Sequence, residues 1–259
     1  MHPTKRTGMR ITALQANTVW ASPDDNISEI EQLISRNIGS RLYVLPEMWS
    51  TGYATVPAGI AEREPVSVNW MINAARKYDA AICGSIAIEY DGKFYNRQYF
   101  CKPDGTTFAY DKHHLFEYAG EDRFYERGNE KVVVEHEGIR FRLVTCFDLR
   151  FPEWCRCHGD YDVLICVANW PEQRNTAWEI LLRARAIENE CLVVGANRTG
   201  CDAFCKYTGK SAIINAYGET LAKAPDNEQA AITANFDIKA QNEYRRKFPV
   251  LNKLDKLNQ

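Results

Sequence analysis

The stretch KVVVEHEGIRFRLVTCFDLRFPEW (131–154) indicates the fold, because it combines a hairpin with a strand that ends on a reactive side chain. Two runs rich in β-branched residues flank Glu137-Gly138, a spacing typical of a β-hairpin. The second run, FRLVT, ends at Cys146. Reactive groups of α/β proteins commonly lie where a strand gives way to a loop. Cys146 is therefore a candidate nucleophile.

Short β-rich runs alternate with helical patterns on both sides of this stretch. Besides the hairpin 131–146, strands are predicted at 10–15, 42–46, 80–88, 94–102, 106–110, 162–170, 191–198, 210–218 and 230–237. Helices are predicted from Ser22-Pro23 onward, over 66–78 and over about 174–190. Asp91-Gly92 predicts a second hairpin, and 226–229 is interpreted as a hairpin turn. No linker divides the chain, so we predict one layered α/β domain over 1–259, with helices outside the sheets.

Composition excludes several classes of partner. Of the 259 residues, 45% are hydrophobic, and 32 Lys and Arg face 34 Asp and Glu for a net charge of -2. That balance creates no field that would attract nucleic acid or an anionic membrane surface. The start, MHPTKRTGMRITALQ, lacks the apolar segment of a signal peptide, and no apolar run is long enough to span a bilayer. We expect a cytoplasmic protein without nucleic-acid or membrane partners.

The nine cysteines fit this expectation. An odd number in a long chain is not typical of a disulfide framework. Several lie inside apolar runs, such as Cys83 in AAICGSIAI and Cys166 in VLICVAN. We interpret these as buried, reduced thiols that serve as small core residues.

Three polar residues at strand ends form a coherent set for cleaving a carbon–nitrogen bond. Glu47 follows YVLP, Lys112 follows TTFAY and Asp111, and Cys146 follows FRLVT. A thiolate is the nucleophile, and a neighbouring cation is expected to lower its pKa. A glutamate can take the thiol proton and return it to departing ammonia. A lysine can hold the developing oxyanion together with the backbone N–H of Phe147.

The sequence around these residues resembles the nitrilase superfamily, also called the carbon–nitrogen hydrolases. The resemblance covers about residues 9–248 and rests on the order and spacing of five motifs: LPEMWSTGY (45–53), YDKHHLF (110–116), LVTCFDLRFPEW (143–154), VANWP (167–171) and ARAIENECLVVGANRTG (184–200). It implies a four-layer α-β-β-α sandwich, assembled as a homodimer or a larger homo-oligomer.

The resemblance also implies roles for individual residues. Glu47 would be the general base, Lys112 the cation that stabilises the oxyanion, and Cys146 the nucleophile that forms a thioester. Glu121, in AGEDRFYERG, aligns with a second glutamate that positions the amide or the lysine. A solvated loop charge is the alternative for Glu121. Neither a metal nor an organic cofactor is needed.

Within the superfamily, the resemblance is closest to the omega-amidase branch, through CFDLRFPEW, YDVLICVANWP and YRRKFPV. It implies a small-molecule substrate, the terminal amide of 2-oxoglutaramate or 2-oxosuccinamate. The distal carboxylate of such a substrate requires a cation. Arg150, Arg174 and Arg198 are candidates, although Arg150 can equally pair with Asp148. A nitrilase or an N-carbamoyl amidohydrolase would use the same three catalytic residues.

Four aromatic residues beside the motifs are predicted to wall the substrate pocket: Tyr53, Phe116, Phe147 and Trp170. Packing in the core is the alternative for each of them, because large aromatic side chains are usually buried.

Three other functions remain open. His113 and His114 allow a Cys-His thiol hydrolase, since a thiolate–imidazolium pair is common. Cys155, Cys157 and His158 allow a metal-binding module, although Cys-x-Cys-His is a poor zinc spacing. The third is a catalytically silent binding protein on the same fold, which the presence of all four candidate catalytic residues disfavours.

Overall fold

Two stacked β-sheets flanked by helices form the molecule. The computed structural model describes residues 8–253, so the ends of the predicted 1–259 domain, at 1–7 and 254–259, lie outside the described residues. Each of the two large sheets in this part of the chain has six strands. The predicted α-β-β-α sandwich is confirmed.

The first sheet has the strand order β14-β1-β2-β3-β4-β5. Its strands are β1 (Met9–Gln15), β2 (Leu42–Val44), β3 (Ala81–Tyr90), β4 (Lys93–Cys101), β5 (Thr107–Asp111) and β14 (Ala230–Phe236). Strands β1, β2 and β3 run parallel, and the outer pairs are antiparallel. The last strand of the chain therefore lies against the first.

The second sheet has the order β13-β12-β9-β8-β7-β6. Its strands are β6 (Val133–His136), β7 (Ile139–Thr145), β8 (Val163–Ala168), β9 (Leu192–Asn197), β12 (Ala212–Ile214) and β13 (Thr220–Lys223). Strands β10 (Thr199–Cys201) and β11 (Lys206–Thr208) form a separate small hairpin. Because β7 and β8 are parallel, the residues that follow them meet at one edge of the sheet.

Three apolar layers hold the sandwich together. The helices are α1 (Pro23–Ser35), α2 (Val66–Tyr78), α3 (Pro152–Cys155), α4 (Asn175–Glu188) and α5 (Ile238–Lys247). Helices α1 and α2 pack on the first sheet, and α4 packs on the second. Between the sheets lies a core to which both contribute, including Val44 and Phe141. No helix within 8–253 is long and apolar enough to cross a membrane.

The hairpins predicted at Asp91-Gly92 and Glu137-Gly138 are both confirmed, and their turn residues have positive φ. Asp91 and Gly92 have φ of 52° and 71°, and Glu137 and Gly138 have φ of 51° and 74°. Two consecutive residues with positive φ form the turn whose twist matches that of antiparallel strands. The second of these hairpins delivers β7, and with it Cys146, to the sheet.

The prediction was wrong between residues 210 and 229. Instead of one strand over 210–218, β12 ends at Ile214 and the chain turns, because the Asn215 side chain accepts the N–H groups of Tyr217 and Glu219. Residues 226–229 are not a hairpin turn, because β13 and β14 belong to different sheets. The segment crosses from the second sheet back to the first.

The charged segment that follows β14 forms a helix that sequence reasoning did not predict. The Asp237 side chain accepts the N–H groups of Lys239 and Ala240 and so caps α5. Arg245 then donates to the carboxylate of Asp162 at 2.9 Å. A polar helix of this kind is held by its cap and ion pairs, so it lacks the apolar periodicity on which the prediction relied.

Candidate active site

Elements of both sheets converge on one buried cluster. Glu47 follows β2 and Lys112 follows β5 in the first sheet, whereas Cys146 follows β7 in the second. Glu121 lies in a short 3-10 helix after Lys112. The side chains of Glu47 and Lys112 are fully buried, and Cys146 is 9% exposed. The structure thus brings the four predicted catalytic residues together.

Lys112 lies between two carboxylates. Its Nζ donates to Glu47 Oε1 at 2.8 Å and to Glu121 Oε2 at 2.8 Å, with a longer contact of 3.2 Å to Glu121 Oε1. Burial opposes the positive charge, but the charges of Glu121 and Glu47 outweigh it and raise the pKa of Lys112 well above its ordinary value. An ammonium has three donors, so two short bonds leave one N–H for a further acceptor.

The two oxygens of Glu47 differ in their partners. Oε1 accepts from Lys112 and from Asn96 Nδ2 at 2.7 Å, whereas Oε2 accepts the backbone N–H of Asn169 at 2.8 Å. A carboxylate oxygen accepts about two hydrogen bonds. Oε1 is therefore occupied, and Oε2 keeps room for a proton.

Glu121 has no such room. Its Oε1 accepts from Asn96 and Lys112, and its Oε2 accepts from Lys112, from the Phe116 N–H at 2.7 Å and from the Tyr53 hydroxyl at 3.3 Å. Four donor groups thus make five hydrogen bonds to one carboxylate, and both of its oxygens are fully occupied. Glu121 is suited to holding Lys112 in place and poorly suited to moving protons.

Two amide side chains of the cluster were not predicted. Asn96 bridges Glu47 and Glu121 with its side-chain amide, and Asn169 binds Glu47 through its backbone N–H and, through Nδ2, the Glu47 carbonyl at 2.8 Å. Asn96 lies in the middle of β4, where its position in the hairpin pattern concealed it. Asn169 belongs to the quoted motif VANWP, which was a signal that could have identified it.

Cys146 sits at a sharp turn that starts a 3-10 helix over Cys146–Arg150. Its φ is +46°, a conformation that L-residues rarely adopt, and the Thr145 and Asp148 side chains cap the turn reciprocally. Such strain persists only where the surroundings impose it. The turn points the thiol away from the strand, toward the cluster on the first sheet.

The expected lowering of the Cys146 pKa was wrong. Burial and the charge of Glu47 raise the pKa of the thiol well above its ordinary value, and the opposing effect of Lys112 is smaller. Two carboxylates surround Lys112 and largely neutralise its field. The resting side chain is therefore a thiol, and it needs a base to become a nucleophile.

The two histidines are engaged away from the thiol. His114 Nδ1 lies 2.9 Å from Asp148 Oδ1, and its ring stacks on Phe151 with centroids 3.6 Å apart. His113 Nδ1 lies 2.6 Å from the carbonyl oxygen of Gly128. The His114 contacts bind the Lys112 segment to the Cys146 turn, and the contacts of neither histidine support a Cys-His pair.

The candidate metal ligands are also dispersed. Cys155 and Cys157 are buried and direct their thiols at the carbonyl oxygens of Asp148 and Tyr161, whereas His158 is exposed. In the described part of the chain, no group of three or more His, Cys, Asp or Glu side chains is arranged to hold a metal ion.

A cavity of about 360 Å³ opens beside Cys146. The four predicted wall residues all line it: Tyr53, Phe116, Phe147 and Trp170. Arg150 and Arg174 line it as well. Arg198 does not, because its buried guanidinium donates to the carbonyl oxygens of Thr18 and Thr199. Asp148 binds the Tyr110 hydroxyl at 2.6 Å, and Arg150 is not its partner among the residues described.

Comparisons with known proteins agree with this geometry. Residues 10–246 match the family model described as carbon-nitrogen hydrolase. The chain is 40% identical over 249 residues to omega-amidase YafV of Escherichia coli K12, covering 96% of this chain and 97% of that protein. It is 33% identical over 253 residues to the 2-oxoglutaramate amidase of Bacillus subtilis 168, covering 95% and 97%.

A solved structure extends the agreement to three dimensions. XC1258 of Xanthomonas campestris, described as a CN-hydrolase superfamily protein with an arsenic adduct in the active site, superimposes with a TM-score of 0.93. The two chains are 34% identical, and the match covers 97% of this chain and 99% of that one.

Proposed function

The chain belongs to the carbon–nitrogen hydrolase family, and we propose that it hydrolyses the terminal amide of a short 2-oxo dicarboxylic acid, 2-oxoglutaramate or 2-oxosuccinamate. The products are the dicarboxylate and ammonia. The observation that carries the proposal is the buried cluster of Glu47, Lys112 and Cys146 beside a cavity of about 360 Å³. Relatives named omega-amidase and 2-oxoglutaramate amidase, aligned over nearly their full lengths, support the choice of substrate.

In the first half of the reaction, Cys146 forms a thioester. Glu47 takes the thiol proton on Oε2, because its Oε1 already accepts two hydrogen bonds. Sγ attacks the amide carbon, and the carbonyl oxygen becomes an oxyanion that receives the remaining N–H of Lys112 and the N–H of Phe147. The C–N bond then breaks as Glu47 returns the proton to the nitrogen, and ammonia leaves.

In the second half, water releases the acid. Glu47 takes a proton from water, whose oxygen attacks the thioester carbon through a second oxyanion. The C–S bond breaks, and the proton returns to Sγ. Throughout both steps, Glu121 exchanges no proton and keeps the Lys112 ammonium in position, because both of its oxygens already accept hydrogen bonds.

A substrate panel tests the proposal. Steady-state ammonia release should be fastest with 2-oxoglutaramate or 2-oxosuccinamate and much slower with simple nitriles and N-carbamoyl amino acids. Ammonia release and single-turnover mass spectrometry, with a mass increase on the Cys146 peptide, would together support both substrate and thioester. Robust turnover of a nitrile or carbamoyl compound, with none of the two oxo-amides, would refute the assignment.

We also propose that the protein is a homodimer. An outer patch of exposed apolar side chains supports it: Ile180, Ile187, Tyr217 and Phe248. Ile187 packs against Gly218, and the Tyr244 ring contacts the rings of both Tyr217 and Phe248. Light scattering should give twice the 29.7 kDa chain mass, and Ile180→Asp should shift it toward one chain. A monomeric wild type would exclude the dimer.

A reducing, cytoplasmic location is proposed from the cysteines. All nine are unpaired, and seven of them are buried. Disulfides are rare where thiols are kept reduced. Thiol titration of the purified, denatured protein should count nine free groups, and a lower count that rises on reduction would contradict the proposal.

A further inference from the structure

Two arginines on the cavity wall differ from arginines that form ion pairs elsewhere in the fold. Arg150 and Arg174 both line the cavity beside Cys146. Arg97 and Arg140 are paired with Asp111 and Asp162 at 2.6 and 2.8 Å. Within residues 8–253, neither guanidinium of the cavity pair has a carboxylate or a hydrogen-bond acceptor as a partner. A guanidinium without an anion beside a substrate cavity is prepared to receive one.

Aromatic rings hold both guanidinium groups at the wall. The Arg150 guanidinium lies 4.9 Å from the centre of the Trp170 ring, and that of Arg174 lies 5.2 Å from the centre of the Phe116 ring. The Trp170 indole N–H donates to the Arg174 carbonyl oxygen at 2.8 Å and fixes the backbone there. Stacking orients a guanidinium and leaves the N–H groups on its edge free. The two side chains are therefore preorganised.

The carboxylate on the cavity wall is hydrogen-bonded to other donors. Asp202 also lines the cavity, but its Oδ1 accepts the N–H groups of Phe204 and Cys205. Its Oδ2 accepts the Tyr207 hydroxyl at 2.7 Å. Those hydrogen bonds hold the Asp202 carboxylate against its own loop. The remaining walls are largely aromatic, which suits a short hydrocarbon chain.

From this arrangement we infer that Arg150 and Arg174 together bind the carboxylate at the end of the substrate opposite the scissile amide, and so determine specificity for acidic amides over neutral ones. The inference rests on the proposed function and adds which side chains recognise the acid. Of the three arginines considered from the sequence, Arg198 is excluded because its donors are occupied by backbone carbonyls.

Kinetics on a matched pair of substrates test the inference. The pair is 2-oxoglutaramate and its methyl ester, which has the same chain without the charge. Each of Arg150→Gln and Arg174→Gln should lower the ratio of kcat/KM for acid over ester by about tenfold, mainly through KM, and the double variant by about a hundredfold. Arg246→Gln, an exposed arginine on α5, is the control and should keep the wild-type ratio. An unchanged ratio in the double variant would overturn the inference.

A binding measurement tests the anion site independently of whether the proposed reaction is correct. Calorimetric titration with 2-oxoglutarate, the dicarboxylate product, needs no turnover. The double variant should bind it at least about tenfold more weakly than wild type and Arg246→Gln. Suppose that wild type hydrolyses neither amide but binds 2-oxoglutarate, and that the double variant binds it much more weakly. The proposed reaction would then be wrong, whereas the anion site would be supported. Equal binding by all three proteins would refute the anion site.

Discussion

The buried catalytic cluster, here called the inner end of the site, and the two arginines on the cavity wall, its outer end, are built on opposite principles. At the inner end, Lys112, Glu47 and Glu121 are buried, and Glu121 alone accepts from four different residues. At the outer end, Arg150 and Arg174 rest on aromatic rings without an anionic partner in the described chain. The charges of the inner cluster compensate one another, whereas the two outer guanidinium groups are available to bind an anion.

The difference separates chemistry from recognition. A buried ion cluster whose donors and acceptors match is rigid, and removing one member leaves the others uncompensated. Arg174 is exposed and Arg150 half-buried, and a substitution there leaves no buried partner uncompensated within the described chain. Changes at the inner end should therefore lower the turnover of every amide, whereas changes at the outer end should alter which amides are accepted.

The largest effect is expected from Glu47→Gln. The amide keeps the shape of the side chain but cannot take the proton of Cys146, so kcat should fall by about a thousandfold or more for acidic and neutral amides alike. Glu64→Gln, on an exposed glutamate, is the matched control. Stopped-flow or quenched-flow measurement should show that acylation is lost. A variant that acylates at the normal rate would exclude Glu47 as the base.

Glu121→Gln should cost about a hundredfold in kcat, because Lys112 loses one of its two charged partners. Since Glu121 exchanges no proton in this scheme, the pH–rate profile should keep both of its limbs, although their midpoints shift because the charge of Glu121 raises the pKa of Lys112. The profile of kcat/KM between pH 5 and 10 provides the measurement. If the profile loses a limb, Glu121 titrates during turnover, and the contrast between the two glutamates fails.

The resting state of Cys146 can be tested by alkylation. Because burial and Glu47 raise the pKa of the thiol well above its ordinary value, its thiolate fraction should grow about tenfold per pH unit from pH 7 to 9. Brief iodoacetamide treatment followed by peptide mass spectrometry measures the rate, with exposed Cys201 as the internal reference. A plateau below pH 8 would indicate instead a resting thiolate paired with Lys112.

Asn96→Ala is expected to have the smallest effect, about fivefold in kcat, because each glutamate loses one of several donors. Asn69→Ala, an exposed asparagine on α2, controls for the loss of an amide. Circular dichroism melting should show that both variants fold. A loss as large as that of Glu47→Gln would mean that Asn96 takes part in the chemistry directly.

Sequence patterns predicted those parts of the fold that local physics determines. The turns at Asp91-Gly92 and Glu137-Gly138 follow from backbone geometry, and α2 follows from its apolar spacing. Helix α5 was missed because a side-chain cap and an ion pair with Asp162 stabilise it. The segment 226–229 was misread because a hairpin turn and a crossover between sheets have the same composition.

Residues of the site that lie in a sequence motif could be predicted. Residues and properties that depend on packing between distant segments could not. Glu47, Lys112, Glu121 and Cys146 could be proposed from motif order. Asn96 could not, since an amide in a strand is unremarkable until two carboxylates from other segments meet it. The direction of the Cys146 pKa shift also depends on the burial of the thiol and on the charge of Glu47 beside it, which no spacing in the sequence reveals.

The pairing of β14 with β1 has a consequence for how the enzyme is made. Seven residue pairs join Ala230–Phe236 to Met9–Gln15, so the edge of the first sheet stays open until the last strand has left the ribosome. The positions of Glu47 and Lys112 depend on the first sheet, whereas the position of the Cys146 thiol depends on the second. A chain cut short by interrupted translation therefore carries the nucleophile without a finished partner surface, and we expect truncated products to be silent.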